Sequence, residues 1–231
     1  MNIGIVCYPT FGGSGVVATE LGKALALKGH QIHFISYQQP VRLDSFHENI
    51  LYHEVNVSDY PLFDYQPYEL VLASKLVDVV KYEKLDLLHV HYAIPHASAA
   101  YMAQQILKTE GIEIPFITTL HGTDITLVGK DASFEPVITF AINQSNAVTA
   151  VSKSLKKDTL DHFKINRSIE VISNFICING CELPKMDAEL KLSIAPNGEK
   201  ILAHVSNFRP VKRVCDVVKI FAKVREQMEC K

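Results

Sequence analysis

Seven short apolar runs recur along the chain, and most are separated by a helix-length stretch that carries one apolar face. That alternation constrains the fold more than any other feature, because parallel strands need a long crossover and a helix usually supplies it. The runs Asn2–Cys7, Gln31–Tyr37, Ile50–Val57, Leu85–Tyr92, Phe116–Leu120, Ala147–Val151 and Ile169–Ile172 read as strands. One helix is predicted from the break at Gly12–Gly15 to Lys28, where Val17, Leu21, Ala24 and Leu25 form a single stripe. Others are predicted over Tyr68–Glu83, Pro95–Thr109, Phe134–Gln144 and Lys153–Phe163. The expected class is α/β, a Rossmann-like domain whose buried parallel sheet carries helices on both faces.

That domain is expected to occupy residues 1–178. Residues 179–198 are polar, hold two prolines and two glycines, and read as a linker. Residues 199–231 then offer a strand, Ile201–Val205, and a helix with Val214, Val217, Val218, Phe221 and Val224 on one face. This is the first βα unit of a second Rossmann-like domain, incomplete because one strand and one helix cannot make a core. The expected arrangement is therefore the amino-terminal part of a two-domain protein.

Bulk composition excludes several classes of function. With 48% hydrophobic and 21% charged residues the chain is globular, and a net charge of -2 leaves no basic stripe for nucleic acid. No window approaches the roughly 18 apolar residues of a membrane span. The start, MNIGIVCYPTFGG, reads as a first strand and not a signal peptide. Cys7, Cys177, Cys181, Cys215 and Cys230 form no disulfide-like framework, so the cytoplasm is the expected location. A homo-oligomer is allowed by the sequence and not specified by it.

In an open α/β sheet, ligands bind beyond the carboxyl ends of the strands. After the first strand, Gly12-Gly13-Ser14-Gly15 opens a helix whose free N–H groups favour an anion. The loop is neither G-x-G-x-x-G nor a Walker loop, and Ser36-Tyr37 stand where a dinucleotide site needs an acid, which argues against NAD. A small carboxylate suits it; a plain glycine turn with Ser14 as helix N-cap is the structural alternative. After the fourth strand, His89 and His91 share a face and Tyr92 sits at the strand mouth. With His96 they could be imagined as a metal set, but no carboxylate or cysteine stands near in sequence, which favours hydrogen-bonded histidines. After the fifth strand, Thr118, Thr119, His121, Thr123 and Asp124 crowd one loop, more polar groups than a turn requires; His121 can donate to a ligand hydroxyl. Asn174 is either a cleft contact or a turn residue, and Cys177 and Cys181 lack further ligands for a metal. Finally, Arg209 with Lys212 or Arg213 stands before a helix start, where cations oppose the helix dipole unless an anion binds. A diphosphate fits that arrangement; a solvated basic turn is the alternative.

Together these segments resemble the GT4-type retaining glycosyltransferases of GT-B fold. The stretches CYPTFGGSGVVATELGKAL, LHVHYAIPHA, TTLHGTDIT and HVSNFRPVKRV are similar to those of the bacterial branch that joins N-acetylglucosamine to L-malate in the first step of bacillithiol biosynthesis. The resemblance runs from Met1 to about Val224. It implies UDP-N-acetylglucosamine (UDP-GlcNAc) as donor, L-malate as acceptor, and neither metal nor cofactor. It further implies that Gly13, Ser14, Gly15, Tyr92, Thr119 and Asn174 surround the acceptor, and that Gly15, His121, Asn207, Arg209 and Lys212 meet the donor. The catalytic roles fall to His121, Arg209 and Lys212. Two departures stand out: Glu226 and Glu229 do not have the spacing of the glutamate pair expected in the second domain, and Cys177 stands where an acidic residue is usual. Other readings are a GT4 transferase for a lipid or sugar acceptor, a GT-B sugar-nucleotide epimerase, and an inactive module that only binds a small anion.

Overall fold

A computed structural model of the chain describes residues 1–43, 47–57, 65–127, 129, 131–176, 187–206, 208 and 210–231. The chain divides into two compact units, Met1–Cys177 and Ile178–Lys231.

The first unit is a seven-stranded, wholly parallel sheet. Its strands are β1 (Asn2–Val6), β2 (Gln31–Ser36), β3 (Ile50–Glu54), β4 (Leu87–His91), β5 (Phe116–Leu120), β6 (Ala147–Ala150) and β7 (Ile169–Val171). Spatial order is β3-β2-β1-β4-β5-β6-β7, so the winding reverses between β1 and β4. That reversal opens a crevice at the carboxyl edge, the usual ligand position in such sheets. The intervening helices are α1 (Gly13–Leu27), α2 (Tyr68–Glu83), α3 (Ser98–Thr109), α4 (Glu135–Gln144) and α5 (Lys153–His162).

Period-two alternation sends Ile3, Ile5, Ile32 and Phe34 into one core under α1, and Val6, Ile35, Leu88 and Val90 into another under α2 and α3. Gly22 lets α1 lie close on the sheet, since a Cβ there would stand 2.4 Å from Phe34 Cζ. The predicted helix Pro95–Thr109 begins later than expected. Residues Ala93–Ala97 form an irregular turn in which Ile94, preceding a proline, is extended (φ -129°, ψ 142°), and regular helix starts at Ser98.

The second unit holds α6 (Ala188–Ile194), inside the stretch read as linker, and α7 (Val214–Arg225). Asp187 caps α6 by accepting from Leu190 N at 3.0 Å, a local signal that the polar composition obscured. The strand predicted over Ile201–Val205 is not formed. Lys200 and Leu202 exchange backbone bonds with Lys231, and only an isolated parallel bridge, Lys200 with Cys230, results. A ladder needs a partner of comparable length, and no such segment stands beside it among the described residues. Val214, Val217, Phe221 and Val224 of α7 are half-buried, while Val218 is exposed.

Candidate functional site

The crevice at the winding reversal is flanked by the glycine loop after β1 and by Tyr92 after β4. Gly12, extended, takes the N-cap of α1, so Ser14 lies within the first helical turn and is not the cap. Gly15 packs against the incoming strand: a Cβ there would meet Thr10 O at 2.4 Å and Tyr8 O at 2.5 Å. Its lack of a side chain therefore has a structural reason, independent of any ligand. Gly13 has open space instead, with nothing within 4 Å of a Cβ.

Tyr92 reaches across the crevice and donates its O–H to Ser14 Oγ at 2.8 Å. Its backbone sits at φ 88°, ψ 142°, a region costly for any residue with a side chain, on the order of 1–3 kcal/mol. Strain of this kind is kept where surrounding structure over-determines it: Tyr92 N donates to Thr119 O at 2.9 Å, and its ring packs edge-on against Tyr8 at 5.3 Å. Burial, with Tyr92 adding to it, pushes the Tyr8 phenol up to about 12, so it remains a neutral hydroxyl.

Beside Tyr92 runs a ladder of imidazoles. His89 and His91 stack at 4.7 Å and His91 and His121 at 5.1 Å, with His91 Nδ1 and His121 Nε2 hydrogen-bonded at 2.8 Å. His89 Nε2 engages Thr119 Oγ1 at 2.7 Å, which in turn engages Thr149 Oγ1 at 2.7 Å. His96 Nδ1 meets the His91 carbonyl. The histidines are thus tied up in hydrogen bonds, as the sequence favours. Burial holds His89, His96 and His121 down at about 4 and His91 well below the ordinary histidine value, so all four are neutral near pH 7.

Neutrality fixes the tautomers. A carbonyl only accepts, so His96 carries its proton on Nδ1 and its buried, unpartnered Nε2 is a lone pair. His91 Nε2 is likewise buried without a partner, and an orphaned lone pair is tolerated better than an orphaned N–H. His91 therefore donates from Nδ1 to His121 Nε2, which leaves the proton of His121 on Nδ1 as a donor. Asp124, which the sequence offered as an orienter of the loop or of the imidazole, orients the loops. Its carboxylate accepts from Ala93 N at 3.0 Å and Gly122 N at 3.1 Å, while burial raises it to about 6 against those bonds.

Asn174 joins the same region. A cavity of about 200 Å³ lies between α1 and the imidazole ladder, lined among others by Leu21, His89, His91, Thr119, Thr149 and Asn174. The structure thus gathers Gly13, Ser14, Gly15 and Tyr92 about the crevice, with His121 on the Tyr92 ring at 5.3 Å, and Thr119 and Asn174 about the adjoining cavity. Tyr8 and Thr149 escaped the sequence reading. Tyr8 sits inside a quoted motif, but only its ring contact with Tyr92 singles it out, and Thr149 shows itself only through cross-strand pairing with Thr119.

Of the basic cluster, Lys212 ends a short turn, Pro210–Lys212, and is exposed. Arg213 occupies the N-cap position of α7 without a side-chain cap bond, and its guanidinium pairs with Asp216 Oδ2 at 2.6 Å on the surface. Asn207, Arg209, Cys177 and Cys181 lie outside the described residues.

The family model of Glycosyltransferase Family 4 matches residues 11–179. The chain belongs to that family. It is 50% identical over 234 residues to the N-acetyl-alpha-D-glucosaminyl L-malate synthase of Bacillus anthracis, covering all of this chain and 60% of that enzyme. The chain thus spans about three fifths of the length of that relative. Among solved structures it resembles the sucrose-phosphate synthase of Thermosynechococcus elongatus, with TM-score 0.69 and 16% identity over 97% of this chain and 60% of that one. It also resembles the Anabaena protein HepE in complex with UDP-glucose, with TM-score 0.65 and 17% identity over 91% of this chain and 54% of that one. These structural likenesses show the fold, a Rossmann-like α/β sheet of GT-B type. No described helix is long and apolar enough to cross a membrane.

Proposed function

We propose that this glycosyltransferase is a retaining enzyme that moves N-acetylglucosamine from UDP-N-acetylglucosamine to the hydroxyl of L-malate, and that its first unit holds the malate. The observation that carries this reading is the Tyr92–Ser14 hydrogen bond at the start of α1. Because Tyr92 donates to Ser14, the Ser14 hydroxyl hydrogen is left to donate onward, beside the N–H groups of the first helical turn. Two or three donors at a helix start are what a small carboxylate needs. The 50% identity to the Bacillus anthracis synthase supports malate as that carboxylate.

In this reading Thr119 and Asn174 complete the acceptor site, and His121 donates from Nδ1 to a hydroxyl of the donor sugar. Arg209 and Lys212, with Asn207, take the diphosphate. The bond from the anomeric carbon to the diphosphate oxygen breaks, and the malate hydroxyl oxygen bonds to the same face of that carbon. Its proton passes to the departing phosphate. Fixed cations favour this step because negative charge grows on the diphosphate as it leaves. The transfer needs no metal and is cytoplasmic.

The test is calorimetry of L-malate and, separately, UDP on this chain, with a UDP-release assay beside it. Malate is expected to bind, and Ser14→Ala is expected to weaken it about tenfold or more by removing a hydrogen bond to a charged group, with UDP affinity unmoved. An unchanged malate constant in Ser14→Ala would take the glycine loop out of the acceptor site. Absence of malate binding by the parent chain would move the reading to another acceptor.

A further inference from the structure

Three ligating groups converge on the sheet face opposite the imidazole ladder. His33 of β2 pairs in register with Gly4, and His89 with Ile5, so their side chains leave by opposite faces. His53 of β3 pairs with Ile35 and so shares the face of His33. Glu83 closes α2, where Asn2 at the amino edge of the sheet donates to its carbonyl at 3.1 Å. One ligand atom from each of His33, His53 and Glu83 lies within 4.8 Å of the others.

The two imidazoles are already arranged as a chelating pair. His33 Nδ1 and His53 Nε2 are 2.9 Å apart, and the rings stack at 5.2 Å with 16° between planes. Without a cation that contact requires one shared proton. A zinc-class ion, at about 2.0–2.1 Å from each nitrogen, would hold them about 3.3 Å apart in tetrahedral geometry, so replacing the proton needs an opening of only a few tenths of an ångström. His33 is 1% exposed, an expensive residue to keep in a strand whose neighbours are Ile32 and Phe34. Two imidazoles and one carboxylate suit zinc, cobalt or nickel, and not magnesium or calcium, which prefer all-oxygen sets. Lys75 of α2 acts on His53 as a like charge and opposes a cation there; Glu83 acts the other way.

We propose that His33, His53 and Glu83 bind a zinc-class divalent cation that ties β2, β3 and the end of α2 together, apart from the transfer site.

The chain would be stripped with a chelator, titrated with Co²⁺ while visible ligand-field absorption is followed, and then titrated with Zn²⁺ by calorimetry. A single cobalt equivalent is expected, with the intense bands of a four- or five-coordinate site, displaced by zinc. His53→Ala and Glu83→Gln, at half-buried positions that leave the core intact, should each weaken Zn²⁺ about tenfold or more with the circular dichroism spectrum unchanged. Lys75→Met should tighten it, and His121→Gln should leave it unmoved. No stoichiometric binding would overturn the site. Binding that survives both His53→Ala and Glu83→Gln, or that is lost in His121→Gln, would also overturn it.

Discussion

Gly15→Ala is expected to lower the stability of the first unit by about 3 kcal/mol, roughly 6–12 °C in Tm for a domain of this size, while Gly13→Ala leaves it unchanged or slightly raised. A Cβ at residue 15 meets two backbone carbonyls at 2.4 and 2.5 Å. Those oxygens belong to Tyr8 and Thr10, in the segment between β1 and α1, and cannot swing away as a side chain could. Either α1 lifts from the sheet or the Tyr8–Thr10 backbone shifts, and the second would also pull Tyr8 from its contact with Tyr92. Gly13, two residues earlier, faces open space, so alanine there brings only its better helix propensity. Thermal unfolding of both variants decides it. Equal Tm values for Gly15→Ala and the parent would mean that α1 is not seated on this backbone as described.

Acid should unfold the protein early, with a fall of about 3 kcal/mol or more between pH 7.5 and pH 5. His89, His91, His96 and His121 all have folded values well below the 6.5 of an open histidine. A group depressed in this way binds its proton in the unfolded chain first. Its contribution is therefore fully present above 6.5 and is lost as pH falls toward about 4. For the fully buried His96 the complete loss is about 3 kcal/mol. Asp124 works in the opposite direction: raised to about 6, it is favoured in its protonated form by folding and gains stability as pH falls below that value. Four imidazoles outweigh one carboxyl. Urea unfolding at the two pH values gives the measurement, and His96→Asn, which keeps a donor for the His91 carbonyl but cannot titrate, should flatten the dependence. Equal stability at both pH values would mean that the ladder is hydrated or already charged.

Much of this molecule is legible from one dimension. Residues Tyr68–Glu83 and Phe116–Leu120 form the helix and strand that their periodicity predicts, with the same bounds. The glycine loop, Tyr92 and the Thr119–Asp124 segment also stand at strand ends, as the strand bounds require. These are local properties: an apolar period, a turn residue and the position after a strand are written in neighbouring residues. One miss is non-local. Ile201–Val205 has a strand's composition, yet a strand exists only when another segment pairs with it.

Sequence by itself determined the class, the order of the crossovers and which side chains reach the carboxyl edge, because alternation and spacing act within a few residues. Only the tertiary structure decided what those side chains meet. The strand order puts β4 beside β1, and this brings Tyr92 to Ser14 across 78 positions of chain and hands the His121 proton to Nδ1 through His91. The same folding sets His33, His53 and Glu83 around one point from two strands and a helix end. Pairing between distant segments is chosen by how whole faces pack and by the closure of many contacts at once, and no window of neighbouring residues holds that information.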